Sequence, residues 1–362
     1  MMGQTVSARL DAEVEARRLE SDPAQREAAR RLDALGAALQ ANRPRGFLRL
    51  HSRKSAPRGL YLWGGVGRGK TLLMDLFFAA QGAAGGTATR DHFYHFMRTV
   101  HAELGTIKRR QEPLDIVAER LAARARVICL DEFFVSDIAD AMILAALIDG
   151  LFKRGVTLVT TSNVPPQELY KDGLQRQRFL PAIESLLRHV DVIHLDGGVD
   201  YRLRQLERAP TYLDSNRDDA AAALAERFAA LAGGAAQGPG EIRVEGRVLH
   251  AVALSKDIAW FEFSELCDGP RSQNDYIELA RLFHTIVIAH IPRFDAFAEN
   301  AARRFIMLID ELYDRGVKIV VSAAAAPTEL YRGERLRFEF ERAASRLMEM
   351  QTQQYLAGEH RP

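Results

Sequence analysis

Only two cysteines, Cys129 and Cys267, occur in 362 residues. They lie far apart and outside any C-x-x-C or metal-ligand spacing, which excludes a disulfide scaffold and points to a reducing compartment. Charge of one sign is also missing: 49 lysines and arginines against 48 aspartates and glutamates leave a formal net charge of +1. There is thus no global pull toward nucleic acid or a membrane surface, although a local basic face can sit inside a balanced total. No uninterrupted apolar run is long enough to cross a bilayer. The first twenty residues, MMGQTVSARLDAEVEARRLE, lack an apolar core and carry acids early, which disfavours a secretory signal or transit peptide. These absences predict a cytoplasmic protein. With 47% hydrophobic and 27% charged residues, the chain can bury a large core and is long enough for two or three units.

Glycine is concentrated where it matters. In GLYLWGGVGRGKTLLMDLFF, from Gly59 to Phe78, an apolar run stops at a glycine-rich loop and resumes at helical spacing. The loop, Gly64-Gly65-Val66-Gly67-Arg68-Gly69-Lys70-Thr71, satisfies G-x-x-x-x-G-K-[ST] at every fixed position. Glycines can take positive φ and turn successive N–H groups into a concave nest for anionic oxygens. The helix that starts there, running on through Leu72, adds its free amides and positive dipole end. Lys70 is placed to reach the β- and γ-phosphates of ATP, and the Thr71 hydroxyl to ligate Mg²⁺.

Two further strand ends bear on the same chemistry. ARVICLDEFF reads as a central parallel strand that delivers Asp131 and Glu132 to the edge of the sheet where α/β folds bind ligands. Asp131 is the candidate for Mg²⁺ and Glu132 the candidate base for the attacking water. GVTLVTTSN ends in Asn163, a polar amide suited to holding that water or the γ-phosphate. DVIHL, from Asp191 to Leu195, reads as a fifth strand. His92, His95 and His101 invite a metal reading, but without an H-E-x-x-H motif or a nearby cysteine they are expected to pack or hydrogen-bond.

The chain divides by pattern into an N-terminal helical segment with a basic linker (1–57), a P-loop core (58–210) and a C-terminal α/β region (211–362). Ser21-Asp22-Pro23 marks a helix start, with Leu32, Leu35 and Leu39 on one face. Residues 81–89 read as a loop. IRVEGRVLHAVAL reads as a hairpin turning at Glu245-Gly246, and WFEFSEL as a strand. Residues 147–170 align without gaps to 308–331 with twelve identities in twenty-four, and VICLDEF then falls opposite IAHIPRF. That alignment sets Pro292 against Asp131, Arg293 against Glu132 and Ala324 against Asn163. It predicts a partial repeat that has lost its catalytic groups, with no G-K-[ST] loop between Glu241 and Val287.

Taken together, RGLYLWGGVGRGKTLLMDLFF, HFMRTVHAEL, CLDEFFVSDIADAMIL, TSNVPPQELYKDGLQRQRFLPAIE, FHTIVIAHIPRF, RRFIMLIDELYDRGVKIVVSA and FERAASRLMEMQ resemble the ZapE family of bacterial cell-division ATPases. That family is related to AAA-type ATPases of the mitochondrial inner membrane. The resemblance runs from about Arg58 to Tyr355. It implies an AAA-type ATPase with a P-loop sheet and flanking helices, an ATP-dependent homo-oligomer, FtsZ as partner and at most peripheral membrane contact. The leading expectation is ATP hydrolysis coupled to remodelling of a protein partner; the alternatives are a nucleic-acid-associated loader, whose only local support is the basic stretch Arg43 to Arg58, and a nucleotide-gated scaffold with little turnover. The resemblance also implies roles for three arginines. Arg176 and Arg178 fall where such enzymes carry an arginine finger for a neighbouring subunit, and Arg346 falls where a sensor 2 cation would contact nucleotide.

Overall fold

The computed structural model describes residues 5–16, 22–42, 56–65, 67–83, 87–107, 112–135, 137–171, 173–196, 203, 206, 210–217, 219–232, 238–255 and 257–361. The chain divides by its contacts into Met1–Val199 and Asp200–Pro362, a division earlier in sequence than the Ala-rich stretch suggests. The basic linker lies outside the described residues except at its ends. There Arg58 pairs with Asp191 and donates to the carbonyls of Leu187, Arg188 and Val190.

Unit 1 begins with α1 (Val6–Glu15) and α2 (Pro23–Ala41). Asp22 caps α2, accepting from Ala24 and Gln25, and Pro23 takes the first helical position, where its missing N–H costs nothing. The unit continues with β1 (Gly59–Trp63), α3 (Lys70–Ala83), β2 (Ala88–His92), α4 (Phe93–Thr106), α5 (Pro113–Arg124), β3 (Val127–Asp131), α6 (Ile138–Lys153), β4 (Thr157–Ser162), α7 (Leu180–His189) and β5 (Val190–His194). The sheet is parallel in the order β2-β3-β4-β1-β5. This is an α/β fold, a parallel five-stranded sheet with helices on both faces and a glycine-rich loop after its interior strand β1.

Residues alternate between the two faces of that sheet. Tyr61, Ile128, Leu130 and Leu158 join the core beneath α4 to α7. Leu60, Leu62, Val127, Cys129 and Val159 join Leu32, Leu35 and Leu39 of α2 and Leu73, Met74 and Phe77 of α3. The N-terminal helices therefore belong to the core of unit 1. The same alternation puts Asp131 on the α3 side. One strand runs against expectation: β2, with the sequence ATRDH, replaces part of the loop expected over 81–89 and places His92 at a strand end rather than on a helical face with His95. Its polar composition is that of an edge strand, paired on one side only.

Unit 2 comprises β6 (Tyr212–Asp214), α8 (Ala220–Ala232), the antiparallel hairpin β7 (Gly240–Val244) and β8 (Arg247–Ala251), β9 (Ala253–Leu254), β10 (Ile258–Glu262), α9 (Phe263–Cys267), α10 (Gln273–Leu282), β11 (Thr285–Ile291), α11 (Glu299–Asp314), β12 (Lys318–Ala323), α12 (Arg337–Glu349) and α13 (Gln353–Leu356). The hairpin turns at Glu245 and Gly246, both at positive φ. WFEFSEL splits, its first half ending β10 and its second half forming α9.

The strand order β6-β12-β11-β10 matches β1-β4-β3-β2, so the repeat is more complete than the gapless alignment implies. Tyr61 and Tyr212 occupy matching register, and their hydroxyls donate to the carbonyls of Val164 and Ala325. The alignment fails in one strand. Val127 pairs with Thr157, but Thr285 pairs with Lys318, and β11 contains a bulge between Ile288 and Ile291. Register thus sets Ala289 and His290, not Pro292 and Arg293, against Asp131 and Glu132. Both Glu132 and His290 have positive φ, 53° and 58°, and their amides donate to Thr161 and Ser322.

Candidate nucleotide site

Gly64, Gly65, Gly67, Arg68 and Gly69 lie between β1 and α3, and Lys70, Thr71 and Leu72 open α3; Val66 lies outside the described residues. Gly64 has φ 152° and Gly69 φ 79°. A Cβ on Gly64 would lie 2.6 Å from the Leu195 carbonyl oxygen, so a side chain there would displace backbone. Lys70 Nζ donates to the carbonyls of Gly64 and Gly65, 2.6 Å each. Its charge is already inside the loop, held by two neutral acceptors that a phosphate oxygen would outcompete. Leu72 packs against the α2–α3 core.

The other strand ends converge on this loop. Trp63 pairs with Ser162, whose carbonyl accepts the Gly64 amide at 3.3 Å, and half-buried Asn163 follows at once. Asp131 is buried and accepts from Arg90, with Nε 2.8 Å from Oδ2 and the NH2 nitrogen 3.4 Å from Oδ1. That same nitrogen reaches the Thr71 carbonyl at 3.5 Å, and Arg90 also pairs with Asp75 of α3. A single guanidinium therefore spans the first turn of α3 and the end of β3. Burial pushes the Asp131 carboxyl up to about 6, with Arg90 pulling it part of the way back.

Glu132 points to His92, whose Nε2 lies 2.9 Å from Oε2. Burial lowers the His92 imidazole, but the hydrogen bond and charge of Glu132, then Asp131 and Asp91, outweigh it and leave the ring raised. His101 pairs with Asp140. Among the described residues no group of histidines, cysteines and acids has metal-holding geometry. The site offers Mg²⁺ hard oxygen donors, the Thr71 hydroxyl and the Asp131 carboxylate, on elements already bridged by one cation, and these residues fit that ion.

Of the three arginines, Arg176 donates to the Gln167 carbonyl at 2.6 Å, whereas the exposed guanidinium of Arg178 makes no hydrogen bond or ion pair among the described residues. Arg346 belongs to unit 2, where Asp310 (2.6 Å) and Asp314 (3.3 Å) bind it and the Tyr313 ring lies 4.7 Å away. Sequence reading missed Arg90 and Gln25 and found no partner for His92. Gln25 Nε2 donates to the Arg68 carbonyl at 3.1 Å. The Gln25–Arg68, Arg90–Asp131 and His92–Glu132 contacts each bridge forty or more residues, and only the polarity of β2 hinted at any of them.

A profile of the AFG1-like ATPase family matches residues 4–359. Cell division protein ZapE of Escherichia coli K12 is 50% identical over 303 residues, covering 84% of this chain and 80% of that protein. Lactation elevated protein 1 homolog B of Danio rerio is 37% identical, covering 84% of this chain and 69% of that protein. Among solved structures, AMPPCP-bound DnaA from Aquifex aeolicus covers 52% of the chain at 13% identity and a TM-score of 0.37, too loose a match to carry a reading. No helix among the described residues is long and apolar enough to cross a membrane.

Proposed function

The chain belongs to the AFG1-like ATPase family, and on that footing we propose that it couples Mg²⁺-dependent ATP hydrolysis to remodelling of a protein partner in cell division. The loop amides of Gly64 to Thr71 cradle the triphosphate, and Lys70 exchanges the Gly64 and Gly65 carbonyls for the β- and γ-phosphates. Thr71 and Asp131 would hold Mg²⁺, which when bound neutralises charge on the phosphate oxygens. Glu132 takes the proton of the attacking water, and Asn163 orients that water against the γ-phosphate. Arg178 is the better finger, because among the described residues its guanidinium has no partner to give up and Arg176 has one. A finger acts in trans, so the active form is an ATP-dependent homo-oligomer built head to tail. The family resemblance implies FtsZ as the partner, and the likeness to a cell division protein supports a partner that acts in division.

The observation that carries this reading is Arg90, one guanidinium reaching both the Thr71 carbonyl and the Asp131 carboxylate. Phosphate loop and strand end thus meet within the span of a single cation. The test uses Glu132→Gln, measured for ATP turnover and for mass with and without ATP. Turnover reduced about a hundredfold or more, with an oligomer that accumulates only with ATP, is expected. A reduction below about tenfold contradicts the base assignment. Mixing Glu132→Gln with Arg178→Ala chains should then restore turnover, since each supplies what the other lacks at a shared interface.

A further inference from the structure

Gln25 lies in the first turn of α2, 3% exposed, with its backbone amide capped by Asp22. Its side-chain nitrogen donates to the carbonyl of Arg68, 43 residues away in sequence. The orientation is chemically forced, because a carbonyl can only accept and the amide must therefore present its nitrogen. A loop that turns its N–H groups inward toward an anion turns carbonyls outward, and an outward carbonyl shielded from water needs a donor. Gln25 is that donor for the residue preceding Gly69.

Gly69 is shaped to the same contact. A Cβ there would stand 2.7 Å from Gln25 Nε2, so the glycine at φ 79° serves a close approach as well as a turn. The brace is itself anchored. Ala28, Ala29 and Leu32 of α2 are fully buried against a core shared with Leu73, Met74 and Phe77 of α3. Gln25 therefore rides on a helix fastened to the very helix that the loop opens.

We propose that Gln25 is a positioning residue for nucleotide binding, through which the N-terminal helical hairpin holds the phosphate loop in its anion-accepting form. The inference rests on the reading that this loop binds ATP, and it makes residues outside the P-loop core part of the nucleotide site. One lost brace of this kind corresponds to about threefold to tenfold in affinity.

The test compares the full-length wild type with Gln25→Met, which keeps the volume and loses the donor, and Gln25→Glu, which keeps the shape and sets an acceptor against the Arg68 carbonyl. Melting temperature without nucleotide, KM for ATP and kcat are measured for each. For Gln25→Met the expected result is a nucleotide-free melting temperature lowered by a few degrees at most, a KM raised about threefold to tenfold at temperatures where the chain is folded, and kcat within about twofold. Gln25→Glu should raise KM further, because its charge also repels the phosphates. Wild-type KM in Gln25→Met, or a smaller effect in Gln25→Glu than in Gln25→Met, overturns the proposal. So does a KM effect that vanishes on cooling a destabilised Gln25→Met chain, since the glutamine would then serve only the fold. Failure of the wild type to bind ATP would instead remove the reading on which the inference rests.

Discussion

Unit 1 and unit 2 run four strands in the same order and part company where those strands meet their carboxyl-end loops. After β1 come six residues, four of them glycine, before Lys70 opens a helix; after β6 come five, none of them glycine, before Ala220 does the same. Asn216 bonds Asp214, and Arg217 pairs with Asp219, so side chains close this second loop on itself. At the carboxyl ends of β2 and β3, and again of β10 and β11, both units keep an imidazole–carboxylate pair with its members exchanged. His92 faces Glu132 at 2.9 Å, and Glu262 faces His290 at 2.8 Å. The framework demands a polar pair and a left-handed residue after the third strand, while hydrolysis demands that the carboxylate stand on a particular one of the two strands. Packing tolerates the exchange, and the proposed chemistry does not.

The sharpest way to break this comparison is to treat the two pairs alike. Glu132→Gln should cost about a hundredfold or more in turnover, whereas His290→Gln in unit 2 should leave turnover within about twofold. Equal effects in steady-state assays would dissolve the distinction between a working and a silent copy.

The lysines extend the contrast. Lys70 is half-buried on two carbonyls, whereas Lys318 is 1% exposed, with three carbonyl acceptors, Gly316, Tyr355 and Gly358, at 2.9 Å each. Lys70→Met should abolish the ATP-dependent rise in melting temperature. Lys318→Met should leave that rise intact and lower the nucleotide-free stability by about 1–3 kcal/mol, read by denaturant melting, because three part-buried carbonyls lose a charged donor. The Lys318 ammonium is a staple for the C-terminal turn, the Lys70 ammonium an exchangeable contact.

A smaller effect is expected with pH. The Asp131 carboxyl, raised to about 6, favours its proton in the folded empty chain. Its contribution to stability is therefore full below about pH 4 and is lost as pH rises through about 6. Binding of Mg²⁺·ATP needs the carboxylate and strengthens over the same interval. The profile of kcat/KM should show an acid limb near pH 6, and Arg90→Met should move that limb upward because the cation that favours ionisation is gone. A limb that stays in place would remove Arg90 from the electrostatics of the site.

The smallest effect concerns Arg346. Losing its bonds to Asp310 and Asp314 should cost about 1 kcal/mol or less in stability, with turnover within about twofold. A turnover loss beyond about tenfold would return this arginine to the nucleotide, as the family resemblance implies.

The parts legible in the chain were those whose signal is local. Gly64 to Thr71 announce a phosphate loop because the glycine spacing, the lysine and the following helix are contiguous, and Asp131-Glu132 announce a strand end because four apolar residues precede them. Tyr61 and Tyr212 could be matched only through strand register, since β6 is three residues long. The displacement of His290 onto the position of Glu132 depended on a bulge, which adds a residue without leaving a mark in the hydrophobic pattern. By itself the sequence determined the class of fold, the glycine-rich loop between β1 and α3 and the strand end that carries Asp131 and Glu132. The tertiary structure alone decided that Gln25 braces the loop, that Arg90 bridges Thr71 to Asp131 and that His92 holds Glu132. Those contacts carry a side chain to a partner 19 to 43 residues away, and no local preference of the backbone encodes which distant donor a buried acceptor will meet.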